Sequence, residues 1–146
     1  MTRKCSVVVI DDNLGDLFLV KEAIRREGLD CEIVSIRDGE QAIAVLCGPE
    51  AAGNRPDCIL LDINLPKVRG DLVLQAIRQQ PHLANVPVLV WSSSLSAEAK
   101  AMKGQSDLTQ FIEKSLELHE FLAVGAKIRS LLEMPCRVEG APPQDG

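Results

Sequence analysis

The sequence is poor in aromatic residues, in clustered positive charge and in long apolar runs. Aromatic residues make up 3% of the 146 residues and Tyr is absent, so the core must be aliphatic. The formal net charge is −5, whereas a grip on nucleic-acid backbones needs clustered Lys and Arg. No run approaches the roughly 18 apolar residues of a membrane helix. We therefore expect a cytoplasmic protein with no direct nucleic-acid binding and no membrane span.

The cysteines form neither a disulfide framework nor a zinc-binding pattern. There are five of them, an odd number, and no two have Cys-x-x-Cys spacing. We expect reduced thiols, none of them catalytic, with Cys5, Cys31 and Cys58 packing as small apolar residues in or beside strands.

The length fits one domain, which we place at residues 1–134. Residues 135–146 contain three Pro and two Gly, and we expect this C-terminal tail to be disordered.

Short β-branched runs alternate five times with longer stretches of helical periodicity, which predicts a doubly wound α/β fold with a parallel sheet. The predicted strands are 4–10, 31–36, 57–61, 86–91 and 108–113, and the first, third and fourth are apolar enough to be central. The predicted helices are 14–27, 39–47, 70–80, a short one from Ser96 towards Gly104, and a long one from Phe121 that ends at Pro135.

Polar side chains follow four of the predicted strands. Asp11 and Asp12 follow the first strand, Asp62 the third, Ser92 the fourth and Lys114 the fifth. Ligands of open α/β sheets bind at the carboxyl edge, so these side chains should converge there. Clustered carboxylates repel one another and call for a hard divalent cation, for which Mg²⁺ is the best candidate. A carboxylate in such a site can accept a phosphoryl group, with a lysine and a hydroxyl contacting its oxygens.

Four segments carry a family resemblance: VVVIDDN at 7–13, ILLDINLP at 59–66 with a glycine at 70, PVLVWS at 87–92 and FIEK at 111–114. In this order and spacing they resemble the signature blocks of response-regulator receiver domains. The opening of the first helix further resembles small stand-alone regulators of phytochrome-type histidine kinases. The resemblance implies a flavodoxin-like (βα)5 sandwich with strand order 2-1-3-4-5.

The resemblance also assigns roles to the residues of the site. It implies that Asp62 accepts the phosphoryl group, that Asp12 binds the metal directly and that Asp11 acts largely through water. The backbone carbonyl of Asn64 would complete the metal ligands, and Lys114 would contact the phosphoryl group.

Two further positions would couple phosphorylation to a change of surface. Ser92 stands at the switch Ser/Thr position, and Phe111 at that of an aromatic side chain that turns inward on activation. The implied partners are a sensor histidine kinase and a downstream protein or a second copy, docking on the fourth helix, fifth strand and fifth helix.

Departures from the family pattern concern the signalling face. Lys114 is followed by Ser115 where the family has proline, which leaves open whether this peptide is cis. Arg69 replaces an acidic residue before Gly70.

Two other functions stay open. A pseudo-receiver would keep the fold as a protein-binding module without being phosphorylated. An aspartyl-phosphate phosphohydrolase uses similar residues, but it resembles a pattern with the nucleophile after the first strand.

Overall fold

The computed structural model describes residues 5–48, 55–92, 108–113 and 122–132, with the side chains of Ser92 and Glu113 left out. The strands are β1 (Cys5–Ile10), β2 (Cys31–Ile36), β3 (Cys58–Asp62), β4 (Val88–Ser92) and β5 (Thr109–Glu113). The helices are α1 (Leu14–Arg26), α2 (Gly39–Cys47), α3 (Gly70–Arg78), a 3-10 turn (Pro81–Leu83) and α4 (Val124–Leu132). The last of these corresponds to the fifth predicted helix.

The five strands form one parallel sheet in the order β2-β1-β3-β4-β5, which confirms the predicted fold class. β1, β3 and β4 are interior, as their apolar sequences indicated. Buried residues pack on both faces of such strands, so an alternating pattern is neither needed nor seen. All five residues of β3 are buried.

The two faces of the sheet are covered by separate helical layers. One core lies under α2 and α3 and contains Ile10, Leu61, Val73 and Ile77. The other lies under α1 and α4. There Gly125 lets α4 approach α1 closely, since a Cβ atom at this position would lie 2.4 Å from the carbonyl oxygen of Ala23. Helices in the described ranges are too short or too polar to span a bilayer.

The ends of the elements differ slightly from the prediction. α3 ends at Arg78 instead of residue 80, because Pro81 begins a 3-10 turn and residues before a proline avoid the helical region. β4 begins two residues later than predicted, and β5 begins one residue later. Asp62 and Ser92 are the last residues of their strands rather than the first residues beyond them.

The side chain of Arg78 makes a network of hydrogen bonds at the amino edge of the sheet. The guanidinium of Arg78 donates to Thr109 Oγ1 at 3.2 and 2.8 Å and to the carbonyl oxygens of Leu83, Val86 and Leu108 at 3.3, 2.9 and 3.2 Å. Burial lowers the pKa of Arg78 from its ordinary value. The side chain thereby links the end of α3, the 3-10 turn and the entries to β4 and β5.

Several predictions fall on residues outside the described ranges. These are the short helix from Ser96, the start of the last helix at Phe121, the peptide between Lys114 and Ser115, and the tail at 135–146. They stay predictions.

Candidate functional site

The register of the sheet brings two acidic residues together at the carboxyl edge. Ile10 pairs with Leu61 across β1 and β3. The next residue on each strand is an aspartate, so Asp11 and Asp62 lie side by side. The backbone N–H of Asp11 also donates to the carbonyl of Ile36 at 2.9 Å, which ties the end of β1 to the end of β2.

A third carboxylate completes an acidic cluster. One carboxylate oxygen from each of Asp11, Asp12 and Asp62 lies within 4.8 Å of the other two. Asp11 is 1% exposed and Asp62 is 5% exposed, whereas Asp12 is exposed. Two of the three ligands are thus fixed inside the protein and the third faces solvent. Of the side chains predicted to converge at this edge, the three carboxylates therefore lie together.

Each of the two buried carboxylates accepts a local hydrogen bond of the same type. Asp11 Oδ1 accepts from the backbone N–H of Asn13, and Asp62 Oδ1 accepts from that of Asn64, each at 2.9 Å. These are Asx turns, in which an Asp side chain bonds the backbone two residues on. Asn13 in turn caps α1 by accepting from the N–H of Asp16 at 3.0 Å. Both acidic side chains are therefore oriented before any ligand binds.

The cluster is electrostatically costly by itself. Two unit charges 4.8 Å apart repel by about 3 kcal/mol at an effective dielectric constant of about 20. Because domain stabilities are about 5–15 kcal/mol, the one pair in which both residues are buried, Asp11 and Asp62, is by itself a considerable penalty unless a cation offsets it. Clustered carboxylate oxygens are the ligand set of a hard divalent cation, so the residues fit a metal of this kind.

The loop after β3 is held against two neighbouring elements. The N–H of Gly70 donates to the carbonyl of Ile63 at 2.9 Å, and a Cβ atom at Gly70 would lie 2.5 Å from the backbone oxygen of Asp62. At the other side, the N–H of Gly39 donates to the carbonyl of Pro66 at 3.2 Å. A Cβ atom at Gly39 would lie 2.0 Å from the carbonyl oxygen of Val68. Only glycine therefore fits at these two contacts.

The remaining predicted site residues are described to different extents. Ser92 ends β4, one position after Trp91, the register partner of Asp62. Phe111 pairs with Val90 and packs, partly buried, against the core under α2 and α3. Asn64 is exposed and adjoins Asp62 through its backbone N–H. Lys114 lies outside the described residues, so its position in the site, like the roles of the other residues, stays a prediction.

Two contacts in the structure, those of Gly39 and Arg78, have no signal in the sequence. The contact between Gly39 and the loop after β3 joins residues far apart in the chain, and a glycine that opens a helix carries no special signal. Arg78 follows no recognisable motif, and its acceptors are mostly backbone carbonyls, which any residue provides. Neither contact could be found without knowing which elements meet.

Comparisons with known proteins identify the family. The model of the response regulator receiver domain matches residues 7–124. The chain is 32% identical over 126 residues to the response regulator Rcp1 of Synechocystis sp., an alignment that covers 85% of this chain and 86% of Rcp1. The chain therefore belongs to the response-regulator receiver family, as the sequence blocks indicated. Relatives at 30–32% identity are named as regulators, in agreement with the prediction of a signalling switch.

Solved structures give the same fold. The phosphorylated cyanobacterial phytochrome response regulator RcpA is 32% identical, with a TM-score of 0.75 and coverage of 89% of this chain and 94% of RcpA. The Mn²⁺-bound form of Rcp1 is 31% identical, with a TM-score of 0.73 and coverage of 89% and 96%. The resemblance to small phytochrome regulators is thus confirmed. A divalent metal in a relative also agrees with the acidic cluster of this chain.

Proposed function

We propose that the chain is a phosphorylation switch in which Asp62 accepts a phosphoryl group from a sensor histidine kinase. The observation that carries this proposal is the acidic cluster, in which the buried carboxylate of Asp62 lies within 4.8 Å of those of Asp11 and Asp12. A buried acidic residue held in a costly cluster, at the sheet edge where α/β folds bind ligands, is typical of a functional site.

The chemistry assigned to Asp62 is nucleophilic attack on phosphorus. A carboxylate oxygen forms a P–O bond, the P–N bond of a phosphohistidine breaks, and the histidine nitrogen takes up a proton. Mg²⁺, held by Asp11, Asp12, Asp62 and the carbonyl of Asn64, would offset the charge on the phosphoryl oxygens. The hydrogen bond from Asn64 N–H to Asp62 Oδ1 keeps the attacking group oriented. Lys114 is proposed to contact the phosphoryl oxygens.

We expect the phosphoryl group to signal by shifting an equilibrium between an inactive and an active conformation of the protein surface. Ser92 is proposed to hydrogen-bond the phosphoryl group, and Phe111 to move further into the core as it does so. The partial burial of Phe111 leaves part of its ring to be buried in that step. The output is protein contact through β5 and the helices that flank it, with a downstream protein or a second copy, in the cytoplasm.

Trp91 provides a direct test. It is the only tryptophan, it is 1% exposed and it pairs with Asp62 across β3 and β4. We expect its fluorescence to change when Mg²⁺ and beryllofluoride, a phosphoryl mimic, are added together. A small phosphodonor with Mg²⁺ should add the mass of one phosphoryl group to the intact protein.

Two variants locate the response. Asp62→Asn should abolish both the fluorescence change and the mass gain, because the amide is not a nucleophile. Glu40→Gln is the matched control, since it removes an exposed carboxylate that lies in the first turn of α2 and outside the cluster. An unresponsive wild-type protein, with no mass gain, would instead support a pseudo-receiver that binds proteins without phosphorylation.

A further inference from the structure

Two cysteines face each other at the opposite edge of the sheet. Cys5 opens β1 and Cys31 opens β2, and they are direct register partners. Adjacent strands lie about 4.8 Å apart, and disulfides join residues whose Cα atoms are about 4.4–6.8 Å apart. The backbone separation of register partners therefore lies within the range that a disulfide bridges.

Both thiols lie on the same face of the sheet. Cys5 and Cys31 are partly buried and pack against the core under α1 and α4. The other described cysteines are placed differently. Cys58 is fully buried beside Val7, and Cys47 lies at the end of α2.

The surroundings of the pair favour the protonated form of Cys31. Desolvation, the neighbouring Cys5 and the carboxylates of Asp57 and Asp30 together raise the pKa of Cys31 to about 11. Because the thiolate is the reactive form, Cys31 is a poor first nucleophile.

We propose that Cys5 and Cys31 form a redox-sensitive dithiol, which a hydroperoxide converts to a disulfide that ties β1 to β2. In a reducing compartment such bonds are transient and serve redox sensing. The pair lies at the amino ends of β1 and β2, whereas the acidic cluster lies at the opposite edge of the sheet, after β1 and at the end of β3. This inference is therefore independent of the proposed phosphorylation.

The oxidation balances with hydrogen peroxide as the oxidant. The sulfur of one cysteine of the pair attacks a peroxide oxygen, the O–O bond breaks, and the leaving hydroxide takes the thiol proton to give water and a sulfenic acid. The sulfur of the other cysteine then attacks the oxidised sulfur, the S–O bond breaks, and the hydroxyl leaves as a second water with the proton of the attacking thiol. The two sulfurs lose two electrons and the peroxide gains them.

Peptide mapping of the full chain tests the proposal without any substitution. After treatment with hydrogen peroxide, the protein should lose about 2 Da, and a non-reducing digest should contain one peptide pair joined through Cys5 and Cys31. A reductant should restore both thiols. Because the bond closes the loop that contains α1, the oxidised protein should melt at a higher temperature than the reduced one.

Substitutions then assign the bond. Cys5→Ser and Cys31→Ser should each abolish the 2 Da loss, whereas Cys47→Ser should leave it unchanged. The proposal is overturned if the linked peptides contain Cys47, Cys58 or Cys136, if the bond joins two chains, or if Cys5 and Cys31 keep their thiols while Cys47 is oxidised.

Discussion

At the carboxyl edge of the sheet three carboxylates lie within 4.8 Å of one another, whereas at the amino edge one guanidinium is surrounded by four oxygen acceptors. The amino edge is electrostatically complementary within the chain. The carboxyl edge gathers like charges and needs a cation or a proton to offset their repulsion. The stabilising contacts of Arg78 and the proposed functional site thus lie at opposite edges of the sheet, and substitutions at the two edges should have separable effects.

The largest expected loss of stability comes from the amino edge. Arg78→Ala leaves the carbonyls of Leu83, Val86 and Leu108 without this donor, and we expect a loss of about 3 kcal/mol in the free energy of unfolding. Urea unfolding measures it. The beryllofluoride response of Trp91 should persist in the folded variant.

A matched control for Arg78 is Arg26→Ala on α1. The side chain of Arg26 is 59% exposed and pairs with Glu22, so its loss should cost at most about 0.5 kcal/mol. Equal losses for Arg78→Ala and Arg26→Ala would contradict the stabilising role given to the amino edge.

At the carboxyl edge, in contrast, we expect a substitution that removes a charge to increase the stability of the protein. Asp11→Asn keeps an oxygen that can accept from Asn13 N–H but removes one charge of the cluster. In the presence of a chelator we expect the variant to be about 1–3 kcal/mol more stable than wild type. Thermal unfolding with and without Mg²⁺ measures both effects, and the stabilisation by Mg²⁺ should be strongly reduced. Lower stability of Asp11→Asn in chelator would show that repulsion is not the dominant effect there.

A smaller loss is expected where the chain needs close backbone contact. Gly70→Ala would force the end of β3 to shift, since the new Cβ atom meets the backbone of Asp62 and Ile63 at 2.5 Å. We expect a loss of about 2 kcal/mol together with weaker Mg²⁺ binding. Gly28→Ala is the control, because its positive φ of 73° causes strain but no atom lies within 4 Å of the added Cβ. It should lower stability by about 1 kcal/mol and leave Mg²⁺ binding unchanged.

The smallest effect is a pH dependence at the amino edge. The pKa of Cys31 is raised to about 11 from an ordinary value of 9.0, so folding favours its neutral thiol. The folded state therefore loses stability as pH rises from about 9 to 11, because the unfolded chain ionises first. Chemical unfolding in reductant across this range should show the decline, and Cys31→Ala should flatten it. Cys47→Ala should reduce the decline of stability with pH to a smaller extent, although burial also raises the pKa of Cys47.

Much of the fold could be predicted because its signals are local. The apolar runs of β1 and β3 and the glycines and prolines between elements are read directly from neighbouring residues. The limits of α2 were predicted to the residue, with Asp38 capping its start by accepting from Gln41 N–H at 2.7 Å. The end of α3 was missed by two residues, because a 3-10 turn at Pro81 competes with the helix.

The acidic cluster could be predicted for a different reason. Parallel strands end at the same edge, so acidic residues that directly follow two neighbouring strands must meet there. That two of them are buried while Asp12 is exposed depends on the Asx turns and on the approach of Gly70, which the sequence does not reveal.

By itself, the amino-acid sequence determined the order of strands and helices, the apolar composition of the central strands and the three aspartates that cluster at the carboxyl edge. The tertiary structure decided which distant groups touch: Arg78 with the entries to β4 and β5, Gly39 with the loop after β3, and Cys5 with Cys31. The physical reason is that periodicity and turn chemistry act between near neighbours in the chain. Strand register and helix packing bring together residues that are far apart in the chain, and the local sequence around each residue does not indicate the contact.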